Sequence, residues 1–176
     1  FGHLLCDDVN AELEEKFASY VGAKYACVAN SASSLLYLSL DITKKTLAQY
    51  SAEEADALTI NPVFLPSIIP TAVANVVHNS GMLGVWTDEV DWVGNSYVLY
   101  DFAKTICSKT SKDILSSSKE KGYKIIDSAQ EVRRNQFSED ADNSDIMIFS
   151  FYPTKPVGGI DGGIAVSNDK DIIEHL

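Results

Sequence analysis

Apolar positions along the chain follow two different spacings. From Val9 to Val21 they recur every three or four residues, and Gly22 follows, which predicts an amphipathic helix that ends at a C-terminal glycine. Helical spacing also predicts a helix that starts near Leu35, others at 72–78 and 111–121, and a helix with a loop within 41–58. Short continuous apolar runs predict strands at residues 25–29, 63–65, 83–86, 97–100, 123–126, 145–152 and 163–166.

The order of these elements predicts the fold class. Strands alternate with helices, which is typical of an α/β domain built around a largely parallel sheet. A run as continuous as residues 146–149 indicates a strand that is buried on both faces, as such a sheet requires. Ligands bind outside the carboxyl ends of the strands in these sheets, so the residues that follow each strand are the candidates for a functional site.

Composition and charge narrow the class of protein. The 176 residues are 45% hydrophobic and 22% charged, which is ordinary for a single globular domain. A net charge of -11 argues against nucleic acid or an anionic membrane as the partner, and no apolar run is long enough to span a membrane. The 3 scattered cysteines indicate a reducing, cytoplasmic setting, and the 3 separated histidines indicate no metal site.

A serine-rich turn follows the first predicted strand. The segment Asn30-Ser-Ala-Ser-Ser34 leads directly into a helix, where free backbone N–H groups and the positive end of the helix dipole favour an anion. The hydroxyls of Ser33 and Ser34 add donors, so a phosphate could bind there. The alternative is that one of these serines is an ordinary helix N-cap.

A carboxylate follows the strand at residues 123–126. In Asp127-Ser-Ala-Gln130 the carboxylate leaves a buried strand, so it needs a positive or hydrogen-bonding partner to offset its desolvation. The alternative is structural: Asp127 could cap a following helix, with Gln130 completing a capping box.

A lysine between two prolines follows the strand at residues 145–152. Pro153 and Pro156 restrict the backbone around Lys155, and the glycines that follow allow a ligand or another backbone to approach closely. The alternative is a β-hairpin, because Asp161-Gly162 is a favourable turn pair. A phosphate cradle, a carboxylate and a constrained lysine together are the set that pyridoxal phosphate (PLP) requires.

These segments resemble, in order, the sugar-nucleotide aminotransferases of PLP fold type I, also called the DegT–DnrJ–StrS family. The resemblance implies a three-layer α/β/α sandwich around a mostly parallel sheet, as in the large domain of aspartate aminotransferase-like transferases. It covers about residues 9 to 170, and it is carried by Leu13-Glu-Glu-Lys-Phe-Ala-Ser-Tyr-Val-Gly22, Val28-Ala-Asn-Ser-Ala-Ser-Ser34, Asp127-Ser-Ala-Gln130, Phe149-Ser-Phe-Tyr-Pro-Thr-Lys155, Gly158-Gly159 and Asp161-Gly-Gly163.

The resemblance implies a role for each matched side chain. Lys155 would form the Schiff base with the cofactor, and Asp127 would pair with its pyridinium nitrogen. Gln130 would hydrogen-bond the 3-hydroxyl of the cofactor. The phosphate would be bound by three serines, namely Ser33, Ser34 and Ser150.

The resemblance also implies a function. It predicts a cytoplasmic, homodimeric PLP-dependent aminotransferase that transfers an amino group from an amino acid such as glutamate to a keto-sugar nucleotide. The related sugar dehydratases commonly carry a histidine in place of Lys155, so the lysine argues against that activity. The family continues into a smaller C-terminal domain, and we therefore expect residues 1–176 to be an incomplete PLP-binding large domain from which the small domain is absent.

Three residues depart from the family pattern. Ala32 replaces a glycine of the phosphate turn, Pro70 replaces an aromatic residue that stacks on the cofactor, and Pro156 replaces an asparagine. Ala32, Pro70 and the expected absence of the small domain support an alternative function, a degenerate, non-catalytic family member or fragment that acts as a scaffold or interaction protein. A third alternative is an unrelated α/β domain with a chance lysine hairpin, which would have to explain three motifs in the family's order.

Overall fold

A computed structural model describes residues 7–51, 62–87, 92–93, 96–101, 123–142 and 145–176. The helix predicted at 111–121, and the part of the 41–58 prediction that follows residue 51, lie outside the described residues. None of the helices described is both long and apolar enough to cross a membrane.

Helices and strands alternate along residues 7–87, as the sequence predicts, whereas the described residues within 92–127 and within 146–167 form strands with no described helix between them. The helices are α1 (Asp7–Val21), α2 (Ala32–Ser51), α3 (Thr71–Asn79), α4 (Gln136–Asp140) and α5 (Lys170–His175). The strands are β1 (Tyr25–Ala29), β2 (Pro62–Pro66), β3 (Leu83–Thr87), β4 (Trp92–Val93), β5 (Ser96–Asp101), β6 (Tyr123–Asp127), β7 (Ile146–Ser150) and β8 (Gly163–Ser167).

The strands form one sheet in the order β1-β8-β7-β6-β5-β2-β3, with β4 paired to β5. Strand β8 is antiparallel to both β1 and β7, and β5 is antiparallel to both β6 and β2. The pairs β6–β7 and β2–β3 are parallel, so β1, β2, β3, β6 and β7 all run in one direction. The predicted, mostly parallel sheet is confirmed, with β5 and β8 as the strands that run the opposite way.

Helices cover both faces of the sheet, which confirms the predicted α/β/α sandwich. On one face, α2, α3 and α5 pack on a core that includes Ile146 and Ile148 of β7. On the other face, Phe17 of α1 packs against Met147 and Phe149, and the rings of Phe17 and Phe149 meet edge to face at 5.0 Å. Alternate side chains of β7 therefore enter opposite cores, which is why its sequence is apolar throughout.

Two element boundaries differ from the prediction for a local reason. Helix α2 begins at Ala32 rather than near Leu35, because the Ser31 hydroxyl accepts a hydrogen bond from the backbone N–H of Ser34 and caps the helix earlier. Strand β7 ends at Ser150 rather than at residue 152, because the backbone N–H of Tyr152 donates to the Ser150 hydroxyl instead of to a neighbouring strand.

Candidate active site

The carboxyl ends of β6 and β7 and the start of α2 surround a cavity of about 270 Å³. Strands β6 and β7 are parallel, so their last residues, Asp127 and Ser150, lie at the same edge of the sheet. The cavity is lined by Ser31, Ala32, Ser33, Leu36, Pro70, Ala72, Val73, Asp127, Ala129, Gln130, Ile148, Ser150, Tyr152, Lys155 and Asp161. Five of the six predicted site residues therefore share one cavity.

Asp127 ends β6, where it is paired in register with Ile148. Its carboxylate accepts a hydrogen bond from the backbone N–H of Ala129 at 3.0 Å. Burial raises the pKa of the Asp127 carboxyl above its usual value, while this hydrogen bond and the charge of Lys155 act to lower it. Residues 128–135 are not helical, so Asp127 and Gln130 do not form the capping box that the sequence left open.

Lys155 lies in the loop 151–162 that joins β7 to β8. The ends of this loop are tied together, since the N–H of Phe151 donates to the carbonyl of Gly162 at 2.9 Å. Within the loop the N–H of Lys155 donates to the carbonyl of Tyr152 at 2.9 Å. Among the described residues, the ammonium of Lys155 has no hydrogen bond or ion pair, although its charge acts on Asp127. Because β7 and β8 are antiparallel neighbours, the β-hairpin that the sequence left open is present. The lysine is constrained as well, because the backbone hydrogen bonds of the loop hold it.

Two glycines allow the lysine loop to close. A Cβ atom on Gly158 would lie 2.7 Å from the carbonyl oxygen of Pro153, so only glycine fits there without a shift of the backbone. Gly162 has φ +118, a conformation that L side chains rarely adopt. The close approach at Gly158 and the positive φ at Gly162 explain why the sequence after Lys155 is rich in glycine.

The start of α2 forms one wall of the cavity. Ser33 lines it, whereas Ser34 does not: the Ser34 hydroxyl lies 2.9 Å from the hydroxyl of Ser31. Ser31 caps the helix, which confirms the alternative that a serine of this turn is an N-cap, and it also lines the cavity, a position that the sequence analysis did not assign to it. The sequence contains the signal for this cap, because serine is strongly preferred at the N-cap position, where its hydroxyl accepts a hydrogen bond from an N–H in the first turn of the helix.

The lysine loop places two further side chains at the cavity that the sequence analysis did not single out. Tyr152 is 54% exposed and lines the cavity beside Lys155. Asp161 lines it as well, and its carboxylate accepts a hydrogen bond from the N–H of Gly162 at 2.8 Å. Pro70 lies at the N-terminus of α3 and lines the cavity where the family resemblance expects an aromatic ring.

The donor set of the cavity fits pyridoxal phosphate. The helix start and the hydroxyls of Ser33 and Ser150 can bind a phosphate dianion. Desolvation raises the pKa of the partly buried Asp127 carboxyl, and a positively charged partner such as a pyridinium nitrogen would offset that cost and stabilise its ionised form. The side chain of Lys155 has no hydrogen bond or ion pair with another described group, and as the neutral amine it could condense with an aldehyde, with loss of water.

Comparisons with known proteins identify transaminases as relatives in sequence. No family model matches the sequence. A UDP-4-amino-4,6-dideoxy-N-acetyl-beta-L-altrosamine transaminase of Campylobacter jejuni is 30% identical over 182 residues, which cover 94% of this chain and 45% of that protein. The chain thus spans about half the length of the curated relatives it matches.

Solved structures show the same fold. Bacillus subtilis NtdA with bound cofactor PMP superposes with a TM-score of 0.63 at 15% identity, over 94% of this chain and 38% of that one. Helicobacter pylori PseC, an aminotransferase involved in the biosynthesis of pseudoaminic acid, superposes with a TM-score of 0.60 at 21% identity, over 94% and 46% of the two chains. The predicted resemblance to sugar-nucleotide aminotransferases and the predicted fold are both confirmed.

Proposed function

We propose that this chain is the cofactor-binding core of a PLP-dependent aminotransferase that transfers an amino group from an amino acid such as glutamate to a keto-sugar nucleotide. The observation that carries the proposal is the single cavity that contains Lys155, Asp127 and the start of α2. A phosphate site, a buried carboxylate and an uncommitted lysine are otherwise unrelated features, and PLP chemistry needs all of them within the length of one cofactor.

In this proposal different residues of the cavity bind different parts of the cofactor. Ser33 and Ser150 bind the phosphate, with the first backbone N–H groups of α2. Asp127 pairs with the ring nitrogen, Gln130 binds the 3-hydroxyl, and Lys155 bonds to the aldehyde carbon. The predicted contribution of Ser34 is indirect, because its hydroxyl meets Ser31 rather than the cavity.

In this proposal Asp127 and Lys155 each have a specific role in amino transfer. When bound, PLP supplies an electron sink for the pair of electrons left when a proton leaves the substrate Cα. Asp127, as a carboxylate, keeps the ring nitrogen protonated. Once the amino group of the substrate has replaced it at the aldehyde carbon, Lys155 would be a free amine that could take the proton from Cα, and a positioned acid–base group of this kind typically contributes roughly 10²–10⁴-fold in rate.

The substrates and the assembly belong to the same proposal. The Campylobacter jejuni relative is named as a UDP-sugar transaminase, which supports a nucleotide sugar as the amino acceptor. We propose a cytoplasmic homodimer in which residues 1–176 supply the PLP-binding large domain. Two of the most exposed apolar side chains support the dimer: Ile68 is 71% exposed near Pro70, and Ile160 is 96% exposed next to Asp161.

The test is an absorbance spectrum of the purified chain mixed with PLP, followed by borohydride reduction and peptide mapping. We expect a band of lysine-bound cofactor that borohydride fixes on Lys155. Lys155→Ala should lose the band, whereas Lys170→Ala, a lysine paired with Glu174 on α5, should keep it. A Lys155→Ala protein that keeps the band would overturn the assignment of the lysine.

The scaffold alternative has one specific observation in its favour, which is Pro70 at the cavity wall. A proline cannot offer the aromatic face on which a cofactor ring stacks. This alternative predicts a folded protein without a PLP band. Half-transamination of the loaded protein with glutamate would count against it.

A further inference from the structure

Gln136 is a buried polar residue close to the cavity but outside its lining. It is the first residue of α4, and its side chain has 0% exposure to solvent. An amide taken out of water is destabilising unless its donor and acceptor are both satisfied. The hydrogen-bond partners of Gln136 therefore explain how its amide can be buried.

The side chain of Gln136 joins the two ends of the segment that leads from β6 to α4. Its Nε2 donates to the hydroxyl of Ser128 at 3.1 Å, and Ser128 is itself 0% exposed. Its Oε1 accepts from the backbone N–H of Arg133 at 3.0 Å. The side chain of Arg133 is in turn held on α4 by ion pairs with Glu139 and Asp140.

The clamped segment, residues 128–133, contains Gln130 and directly follows Asp127, the two residues proposed to bind the cofactor ring. Ser128 directly follows Asp127, and its N–H donates to the carbonyl of Ile148 at 2.8 Å, which ties it to β7. Gln130 lies two residues further on, in backbone that is neither helix nor strand. Residues 128–135 are neither helix nor strand, so besides a few backbone hydrogen bonds the side-chain hydrogen bonds of Gln136 hold this part of the chain.

We propose that Gln136 is a positioning residue for the cofactor: through Ser128 and Arg133 it fixes the backbone of residues 127–130, so that Asp127 and Gln130 face the cavity. This inference rests on the proposed role of Asp127 and Gln130 in binding PLP. It assigns to Gln136 an effect on the cofactor without any contact with it.

The test uses Gln136→Met, which keeps the length of the side chain and removes both hydrogen bonds. We expect the dissociation constant for PLP to rise about tenfold, the lower end of what the loss of an outer-shell hydrogen bond causes at bound metals. We also expect the pH midpoint of the cofactor absorbance band to move in the same direction as in Asp127→Asn, because a displaced Asp127 pairs less well with the ring nitrogen.

A matched control separates positioning from general loss of stability. Ser167→Ala removes a buried hydrogen bond to the carbonyl of Asp145, at the end of β8 away from the cavity. It should lower the melting temperature and leave the PLP affinity and the pH midpoint unchanged. Ser128→Ala removes the partner of Gln136 and provides a second variant should Gln136→Met not fold; it should weaken PLP binding by a similar factor.

Three outcomes contradict the inference, and they are distinguishable. If the wild-type chain shows no PLP band, the proposed function fails and the inference fails with it. If the wild type binds PLP, and the folded Gln136→Met protein has the wild-type affinity and pH midpoint, the inference alone is overturned. The same holds if Ser128→Ala binds PLP as the wild type does.

Discussion

Burial and the proposed function favour opposite ionisation states of the Asp127 carboxyl group. Burial raises its pKa, so the ionised form is destabilised in the folded protein without cofactor. The proposed pairing with a pyridinium nitrogen needs that same ionised form. We therefore expect the folded protein to be less stable without the cofactor, when this charge is unpaired, than with it.

We predict that Asp127→Asn stabilises the protein without cofactor at pH 7 and weakens PLP binding. A raised pKa means that the folded protein binds the proton more tightly than the unfolded chain does, so the wild type loses stability as the pH rises above the ordinary carboxyl value. Asparagine keeps the acceptor for the N–H of Ala129 and carries no charge. Melting curves should show a gain at pH 7, roughly 2–4 °C for each kcal/mol, that shrinks towards pH 4.

An Asp127→Asn protein that melts below the wild type at pH 7 would contradict the burial argument. An unchanged affinity for PLP would contradict the ring-nitrogen role instead. The two measurements thus test separate statements about one side chain.

At the scale of elements, the start of α2 is packed against the start of β8. Gly163 begins β8, and a Cβ atom there would lie 2.5 Å from the backbone nitrogen of Ala32 and 2.8 Å from its Cα. An isolated parallel bridge also pairs Ser31 with Gly162. The proposed phosphate site and the end of the lysine loop are therefore in direct backbone contact, and neither can move without the other.

We predict that Gly163→Ala displaces the start of α2 and impairs both stability and cofactor binding. Inserted methyl groups in well-packed positions typically cost about 1–3 kcal/mol, and here the obstructing atoms belong to the backbone. Denaturant unfolding and PLP titration should both show the loss. Gly84→Ala is the matched control: its nearest contact, at 3.2 Å, is the mobile end of the Leu65 side chain.

The Gly84→Ala protein should bind PLP with the wild-type affinity. If Gly163→Ala bound the cofactor equally well, α2 would not supply the phosphate site in the way proposed.

A second prediction at this scale concerns the cap of α2. Ser31→Ala removes the acceptor for the N–H of Ser34, and the loss of an N-cap typically costs about 1 kcal/mol. Because Ser31 also lines the cavity, PLP affinity should fall too. Ser39→Ala, which removes a buried hydrogen bond to the Leu35 carbonyl further along α2, should reduce stability without this loss of affinity.

At the scale of the whole molecule, the cavity lies beside exposed apolar side chains. Ile160 and Ile68, which are 96% and 71% exposed, flank residues that line it. Contiguous exposed apolar patches are typical of a surface that a partner covers, and in the proposed homodimer these two side chains would belong to such a surface. The proposed homodimer would bury them and enclose the cavity.

We predict that Ile160→Asp weakens self-association and makes PLP binding depend more steeply on protein concentration. Dimerisation that completes a site raises its affinity by mass action, so a weaker dimer needs more protein for the same occupancy. Sedimentation velocity together with PLP titration at several protein concentrations measures both effects. Val9→Asp, at a 61% exposed position on α1, serves as the control and should change neither.

Several features of the protein could be predicted from the sequence because they depend on neighbouring residues. The helical and strand periodicities predicted α1 to α3 and seven of the eight described strands, though not β4, α4 or α5, and continuous apolar runs predicted strands buried on both faces, as β7 is. The spacing of Asp127, Gln130 and Lys155 at strand ends identified the cavity, because parallel strands of one sheet end at a common edge.

Only the tertiary structure decided which residues of separate segments contact one another. Examples are the close approach of Gly163 to Ala32, the hydrogen bond from Gln136 to Ser128, and the position of Tyr152 in the lining of the cavity. Local patterns do not encode such contacts, because periodicity specifies which face of an element is buried but not what it packs against. The sequence by itself therefore determined the chemical groups of the proposed site, and packing between distant segments decided how they are held.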